Sequence, residues 1–370
     1  MSPETMLEHL VSFPSVVGKP NDSIVEFLVG YFESHGVPVT VLPGPEGDRS
    51  NMFATIGPAG VPGYILSGHL DVVPANEPEW QADPFILRRD GEKLIGRGTC
   101  DMKGFIAAVL SAVPDLVQRG LSAPIHIALS YDEEAGSRGA PHMIRQLPSL
   151  CAPPIACIVG EPSNMTPILR HKGKTALRAV ARGLSGHSSR TDLGVNAIHM
   201  LVPVLAAAVD AADALKAGPL DPSFDPPYST LQVGVIRGGE AINIIPASAE
   251  LHVEARAIAG VDPADILEPV RAAAGPGVEI EILSTYPPLA MVETHPFNAL
   301  MEKLSGRKAI AAVSYGTEAG LFQRAGVPTI ICGPGDISRA HKPEEFLMIE
   351  ELYAARAIVM SLADTIECAA

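Results

Sequence analysis

Apolar, strand-like runs in this chain end repeatedly in hard, ionisable side chains. His69 and Asp71 stand two apart in "SGHLDVVP", directly after Tyr64-Ile65-Leu66. Residues i and i+2 of a strand point to the same side, so the imidazole and the carboxylate can face together. Glu133 and Glu134 follow "HIALSYD", Glu161 follows "CIVG", and His341 comes after "TIICGPGDISRA". Asp101 lies in the glycine-flanked turn "GRGTCDMKG", where a helical pattern begins. Any one of these could be a helix cap or a solvated loop charge. Several carboxylates at one sheet edge repel each other unless cations neutralise them. Two histidines with three or more carboxylates and no cysteine suit zinc, cobalt or manganese, and a carboxylate shared by two ions is the architecture of a two-metal hydrolase.

Other chemistries lack their motifs. "GLSGHS" approaches the G-x-S-x-G nucleophile elbow, but His187 stands where the last glycine belongs. "GRGTCD" starts like a dinucleotide fingerprint and then places Asp101 at the third glycine. There is no H-E-x-x-H and no Walker loop. Nothing beside Cys100 marks it as an activated nucleophile.

The elements that must carry these residues are legible as patterns. "GYILSGHLDVV", "PIHIALSYDEE", "IACIVGEP" and "VPTIICGPG" are continuous apolar runs. They alternate with helical stretches such as "DMKGFIAAVLSAVPDLVQRG", which ends at Gly120. That alternation predicts an α/β sheet covered on both faces, with ligands beyond the carboxyl ends of its strands. From about Gly173 to Ser284 the texture changes. "SAELHVEARAI" and "VEIEIL" alternate apolar with charged residues, as half-buried strands do. With "KTALRAVARG" and "STLQVGVIRGG" as further strands, and "NAIHMLVPVLAAAVDAADALKAG" and "DPADILEPVRAAAG" as helices, the order is βαββαβ, the ferredoxin-like motif. The expected division is 1–173 with 285–370 for the α/β domain and 174–284 for an inserted α+β domain.

Bulk composition agrees with two folded domains. The chain has 370 residues, 47% of them hydrophobic and 19% charged, enough for sizeable cores at roughly 150 residues per domain. Its formal charge of -15, from 42 acidic and 27 basic residues, disfavours nucleic acid and anionic membranes as partners. Cys100, Cys151, Cys157, Cys332 and Cys368 are odd in number and irregularly spaced, which fits a reducing compartment. The first residues, "MSPETMLEHLVSF", lack a basic region followed by an apolar core, and the apolar run "MLVPVLAAAV" is stopped by Asp210. The expectation is a soluble, cytoplasmic protein.

Taken together, "SGHLDVVP", "GRGTCDMKG", "YDEEAG", "GEP" and "AHKPEEF" resemble the successive signatures of the co-catalytic zinc amidohydrolases, in the family's order from about residue 60 to 345. The resemblance implies a zinc-exopeptidase-like catalytic domain with an inserted ferredoxin-like lid and dimerisation domain. It also implies two divalent ions, zinc with cobalt able to substitute. Asp101 would bridge them, His69 and Glu161 would complete one ion, and Glu134 and His341 the other. Glu133 would be the general base on water, and Asp71 the partner that orients His69. His187 in "GHSS" resembles the lid histidine that meets the scissile carbonyl oxygen, typically from the partner subunit of a homodimer. Asn243 and Arg256 resemble residues that grip the substrate carboxylate. Within the family, "SYGTEAGLFQRAGVPTIICGPG" is most like the members that release acetate from N-acetyl-L-ornithine in arginine biosynthesis, with Glu318 as the partner of the substrate ammonium. The alternatives are a succinyl-diaminopimelate desuccinylase, a broader N-acyl-amino-acid deacylase, or a non-catalytic binding protein on the same fold.

Overall fold

The computed structural model describes residues 1–367; Cys368 lies outside the described residues. The chain divides into two compact units, one of Met1–Leu169, Met291–Ala311 and Thr317–Ala370, the other of Arg170–Ala290 and Ala312–Gly316.

The first unit is built on a six-stranded sheet in the order Val39–Pro43, Ser50–Ile56, Ile125–Ser130, Tyr64–His69, Ala156–Pro162 and Thr329–Gly333. Its last four strands run parallel, while Val39–Pro43 and Ser50–Ile56 are added antiparallel at one edge. The apolar-run pattern begins at Pro62 and so does not announce that antiparallel pair, whose outer strand is mostly exposed. The parallel strands are buried almost without interruption, because helices cover both faces of the sheet. Gly104–Arg119 packs with Pro3–Val11 and Ile349–Glu367, and Ala140–Ile144 packs with Ala319–Arg324. Strand and helix approach closely at Gly160, where a Cβ would lie 2.0 Å from the ring of Phe105. Glycine is required there by packing, and the next residue is Glu161.

The second unit is an antiparallel sheet in the order Thr230–Gly238, Ser248–Ala257, Gly173–Arg182, Val278–Tyr286. Along the chain its elements run β-α-β-β-α-β. Ser248–Ala257 alternates strictly between buried and wetter residues, with Leu251, Val253 and Ala255 inside. Helix Ala197–Leu215 lays Ala197, Leu201, Val204 and Ala208 on that face, and Asn196 caps it by accepting from the N–H groups of Ile198 and His199. The stretch read as one helix, "DPADILEPVRAAAG", is two short ones, Pro263–Ile266 and Glu268–Ala272. Pro269 has no N–H to continue the ladder and disfavours helical backbone before it.

One sequence expectation needs correction. The segment Ala312–Gly316 belongs with the second unit, because Val313 N–H bonds to Arg170 O at 3.0 Å and Ser314 Oγ donates to Asp225 O at 2.9 Å. The apolar run before Asp210 is part of a longer helix, which continues through Asp210 and Asp213 to Leu215. With a mean hydropathy of 1.6, it is long and apolar enough by length and composition to cross a membrane.

Gly160→Ala should lower stability by roughly 1–3 kcal/mol, as overpacking does, measured by urea unfolding. The double variant Gly160→Ala/Phe105→Ala should not suffer that overlap a second time. Strictly additive losses would show that the Phe105 contact is not the constraint.

Candidate metal centre

Three adjacent parallel strands deliver the cluster. His69 ends Tyr64–His69, in register with Ser130, and Glu161 lies near the end of Ala156–Pro162 on the other side. Beyond Ser130 the chain turns sharply at Asp132, which has φ +51°. The Asp132 carboxylate holds that turn by accepting from Gly18 N–H at 2.7 Å and from Arg49, and it sends Glu133 and Glu134 back toward His69. Asp101 sits in the turn Thr99–Lys103, entered through Gly98 at φ +80°, where a Cβ would meet Val72 at 2.6 Å. Its peptide bond to Met102 is cis. His341, at φ +60°, lies between the short turn Ile337–Arg339 and the strand Phe346–Met348.

The distances group these side chains by pairs. His69 Nε2 lies 3.0 Å from Asp101 Oδ1 and 3.8 Å from Glu161 Oε1. His341 Nε2 lies 3.3 Å from Asp101 Oδ2 and 3.0 Å from Glu134 Oε1. Asp101 thus turns one oxygen to each imidazole. Ligand atoms of His69, Asp101 and Glu134 lie within 4.8 Å of one another, and so do those of His69, Glu133 and Glu161. His69 Nδ1 meets the main-chain oxygen of Asp71 at 2.9 Å, closer than the Asp71 carboxylate at 3.6 Å. That carboxylate instead accepts the main-chain N–H groups of Glu133 at 3.0 Å and Glu134 at 3.1 Å. Asp71 therefore orients the two glutamates as well as the histidine. Ser137 Oγ donates to Glu133 Oε1 at 3.1 Å.

So many acids in a buried place cannot all stay ionised without a cation. Burial, reinforced by Glu134, Asp71 and Glu318, pushes Glu133 up to about 8. Burial beside Asp101 pushes Glu134 up to about 7, and Glu161 is raised well above the ordinary carboxylate value for the same two reasons. Burial also acts on Asp101, but hydrogen bonds from His341 and His69 outweigh it and hold that carboxyl low. Hydrogen bonds to Asp101 and Glu134 raise His341 to about 10. Burial opposes protonation of His69, yet the bond to Asp101 and the charges of Asp71 and Glu161 raise it. The all-oxygen-and-imidazole donor set, its burial and its proton load fit divalent cations.

The remaining sequence assignments fall elsewhere. Glu318 is 1% exposed, and its oxygens accept from Ser67 Oγ and Ser130 Oγ, each at 2.6 Å. Its burial keeps a substrate ammonium from reaching that carboxylate, which corrects its reading as a substrate contact. In the second unit, His187 and Asn243 are exposed neighbours: Gly186–His187 pairs with Ile244–Ile245, and Ser188 N–H bonds to Asn243 O. Arg256 is held by Glu254 at 2.8 Å and by the Tyr286 hydroxyl at 3.0 Å. It stands at the far end of Ser248–Ala257, whose first residue pairs with Arg182 and whose Arg256 pairs with Lys174. Eight residues of strand, about 26 Å, separate Ser248 from Arg256. His126 stacks on Phe53 and bonds to Thr55 within the first unit's sheet, a structural place. The sequence assigns no role to Ser130 or Ser137, which no motif distinguishes, or to Ser67 and Glu345, although "SGHLDVVP" and "AHKPEEF" contain them.

This combination defines a hydrolase class. The family model described as Peptidase family M20/M25/M40 matches residues 65–365, and the chain belongs to that family. The acetylornithine deacetylase of Photorhabdus laumondii is 35% identical over 97% of this chain and 96% of its own length. That of Salmonella typhimurium is 35% identical over 95% and 94%. Among solved structures, an M20 family metallo-carboxypeptidase from Sulfolobus solfataricus superposes with a TM-score of 0.80 at 19% identity, covering 100% of both chains. A dinuclear metal binding peptidase of the same family from Bacillus subtilis gives 0.63 at 16% identity, covering 99% and 98%.

Glu133, Glu134 and His341 bind protons more tightly folded than unfolded, with values of about 8, 7 and 10 against the ordinary 4.5 and 6.5. Their stabilising contribution is complete below the unfolded values and lost as pH rises through the folded ones. Metal-free protein should therefore become less stable from about pH 6 to about pH 9 in urea titrations. Saturating zinc or cobalt should flatten that slope by displacing the protons. Metal-free stability that climbs across the window would contradict the cluster's proton load.

Proposed function

We propose that the protein is a two-metal amide hydrolase that cleaves N-acetyl-L-ornithine to ornithine and acetate. The observation that carries the chemistry is Asp101, with one oxygen 3.0 Å from His69 and the other 3.3 Å from His341. Relatives named acetylornithine deacetylase, 35% identical over more than nine tenths of both chains, support the substrate. In this reading His69 and Glu161 would hold one divalent ion, Glu134 and His341 the other, and Asp101 would be shared between them. The ions supply polarisation of the amide carbonyl and acidification of water. Glu133, with Oε1 anchored by Ser137, takes the proton from the attacking water and passes it to the departing amine. Asp71 keeps Glu133 and Glu134 in their separate directions through their main-chain N–H groups.

The second unit is read as a ferredoxin-like lid and dimerisation domain, on the basis of its β-α-β-β-α-β order and antiparallel sheet. His187 stabilises the developing oxyanion, while Asn243 and Arg256 grip the substrate near its carboxylate. In this reading His187 reaches the active site of a second copy of the chain. The surface favours such pairing: Thr230–Gly238 is an edge strand, and Ile236 on it is exposed together with Ile198, Val202 and Val209 of helix Ala197–Leu215. Unpartnered strand edges and clustered exposed apolar side chains are interaction features.

Metal-loaded protein should hydrolyse N-acetyl-L-ornithine with a higher kcat/KM than N-acetyl-L-methionine or N-succinyl-diaminopimelate. A chelator should abolish the activity, and zinc or cobalt should restore it. A preference for the succinylated substrate would overturn the deacetylase assignment, and indifference to chelation would overturn the two-metal mechanism.

Glu133→Gln should lower turnover by roughly 10²–10⁴-fold with both ions retained, and His187→Ala should also be nearly inactive. Co-expressed heterodimers of the two variants should regain activity, since one of their two sites then has both Glu133 and His187. No recovery in verified heterodimers would place His187 in its own subunit's site or outside catalysis.

A further inference from the structure

Glu345 is 1% exposed, and four donors converge on its carboxylate. Oε1 accepts the main-chain N–H groups of Cys100 at 2.9 Å and Asp101 at 3.0 Å. Oε2 accepts the N–H of Gly98 at 3.0 Å and Arg97 Nη1 at 2.8 Å. The main-chain oxygen of Glu345 also accepts Gly96 N–H at 3.0 Å. Arg97 is itself anchored, donating to Lys342 O and Pro74 O at 3.2 Å, lying 3.3 Å from Glu77, and resting over the Trp80 ring.

Main-chain bonds close the two ends of the turn that Glu345 collects, Thr99 N–H to Gly96 O at 3.2 Å and Lys103 N–H to Gly98 O at 2.8 Å, but the N–H groups of Cys100 and Asp101 at its centre go to Glu345. Asp101 (φ −122°, ψ 95°) and Met102 (φ −132°, ψ 33°) are not helical, so a regular ladder of i→i−4 bonds cannot fix them. Gly98, which enters the turn at φ +80°, is the residue type with the greatest conformational freedom. Yet Asp101 must face two imidazoles at once, one through each oxygen, and a small rotation of its main chain would lose one of them.

We infer that Glu345 is a positioning residue whose carboxylate locks the main chain of residues 98–101 to the segment that carries His341, so that Asp101 presents an oxygen to His69 and to His341 together. The consequence for ion binding rests on the two-metal reading above; the main-chain restraint does not. Glutamine cannot substitute. Its amide has one acceptor oxygen, and in either orientation its NH₂ faces donors, either Cys100 and Asp101 or Gly98 and Arg97.

The test compares full-length wild type with Glu345→Gln, Glu345→Asp and Glu318→Gln. Glu318 serves as the control because it is an equally buried acid that bonds only to rotatable serine hydroxyls and not to the Asp101 turn. Hydrogen exchange of metal-free protein should show amides of residues 98–101 exchanging about tenfold or more faster in Glu345→Gln, with peptides from Tyr64–His69 and Ile125–Ser130 unchanged. Glu345→Asp keeps the charge and both acceptors but withdraws them by one methylene, and should loosen the turn less. Glu318→Gln should leave the turn's exchange as in wild type. Calorimetric titration with cobalt should show roughly 10–100-fold weaker binding to Glu345→Gln, with altered visible absorption of the bound ion. Wild-type exchange across residues 98–101 in both Glu345 variants would overturn the inference. If only Glu345→Asp folds, unchanged exchange and cobalt affinity in that variant would overturn it alone. Failure of wild type to bind cobalt would sink the two-metal reading, and the exchange measurement would still decide the restraint.

Discussion

Like charge crowded into a buried place is the constraint on which the centre depends. Asp71, Asp101, Glu133, Glu134, Glu161 and Glu318 all stand at or beneath the carboxyl edge of one sheet, and the two that remain most accessible, Glu133 and Glu134, are only partly so. Such a group of acids persists in a folded protein only if each has an assigned partner or if cations arrive. The partners are specific. Asp71 takes two main-chain donors, Glu318 takes two serines, and Asp101 takes two imidazoles. Glu133, Glu134 and Glu161 have fewer donors, and burial together with the neighbouring acids raises their proton affinity.

The same constraint explains how the backbone is used. Ordinary strands and helices would carry side chains away from one another at a strand end. Here the chain turns at Asp132, at Gly98 and at His341, each with positive φ, and each turn is held by groups distant in sequence. Arg49 and Gly18 fix the first. Glu345 fixes the second, and through it the segment of the third. Sheet-end loops placed on a rigid scaffold are where strain and chemistry collect. The scaffold's contribution is the parallel register that sets His69 beside Ser130 and Ser67 beside Val159.

The second unit follows different physics. Its sheet keeps one face on helix Ala197–Leu215 and leaves the other wetter, so period-two alternation is its signature. The helix is less sheltered than its composition implies, with Ile198, Val202 and Val209 exposed. Its opposite stripe, with Ala197, Leu201, Val204 and Ala208, is packed on the sheet.

Local order along the chain determined a great deal on its own. Continuous apolar runs marked the parallel strands, strict alternation marked Ser248–Ala257, and the ionisable residues after each run marked the edge where a cluster forms. These are properties of neighbours in sequence, set by side-chain period and by the cost of burying charge. The antiparallel strands Val39–Pro43 and Ser50–Ile56, the placement of Ala312–Gly316 and the break at Pro269 were decided by tertiary pairing or by a single missing N–H. So were the fates of two glutamates that look alike in sequence. Glu318 sits under the sheet edge with both oxygens occupied by Ser67 and Ser130, and Glu345 gathers the turn that presents Asp101. Their donors lie between about 190 and 250 positions away along the chain. Hydrogen-bond partners so far apart are chosen by the packed fold, which alone determines whether a carboxylate meets solvent, a cation or the backbone.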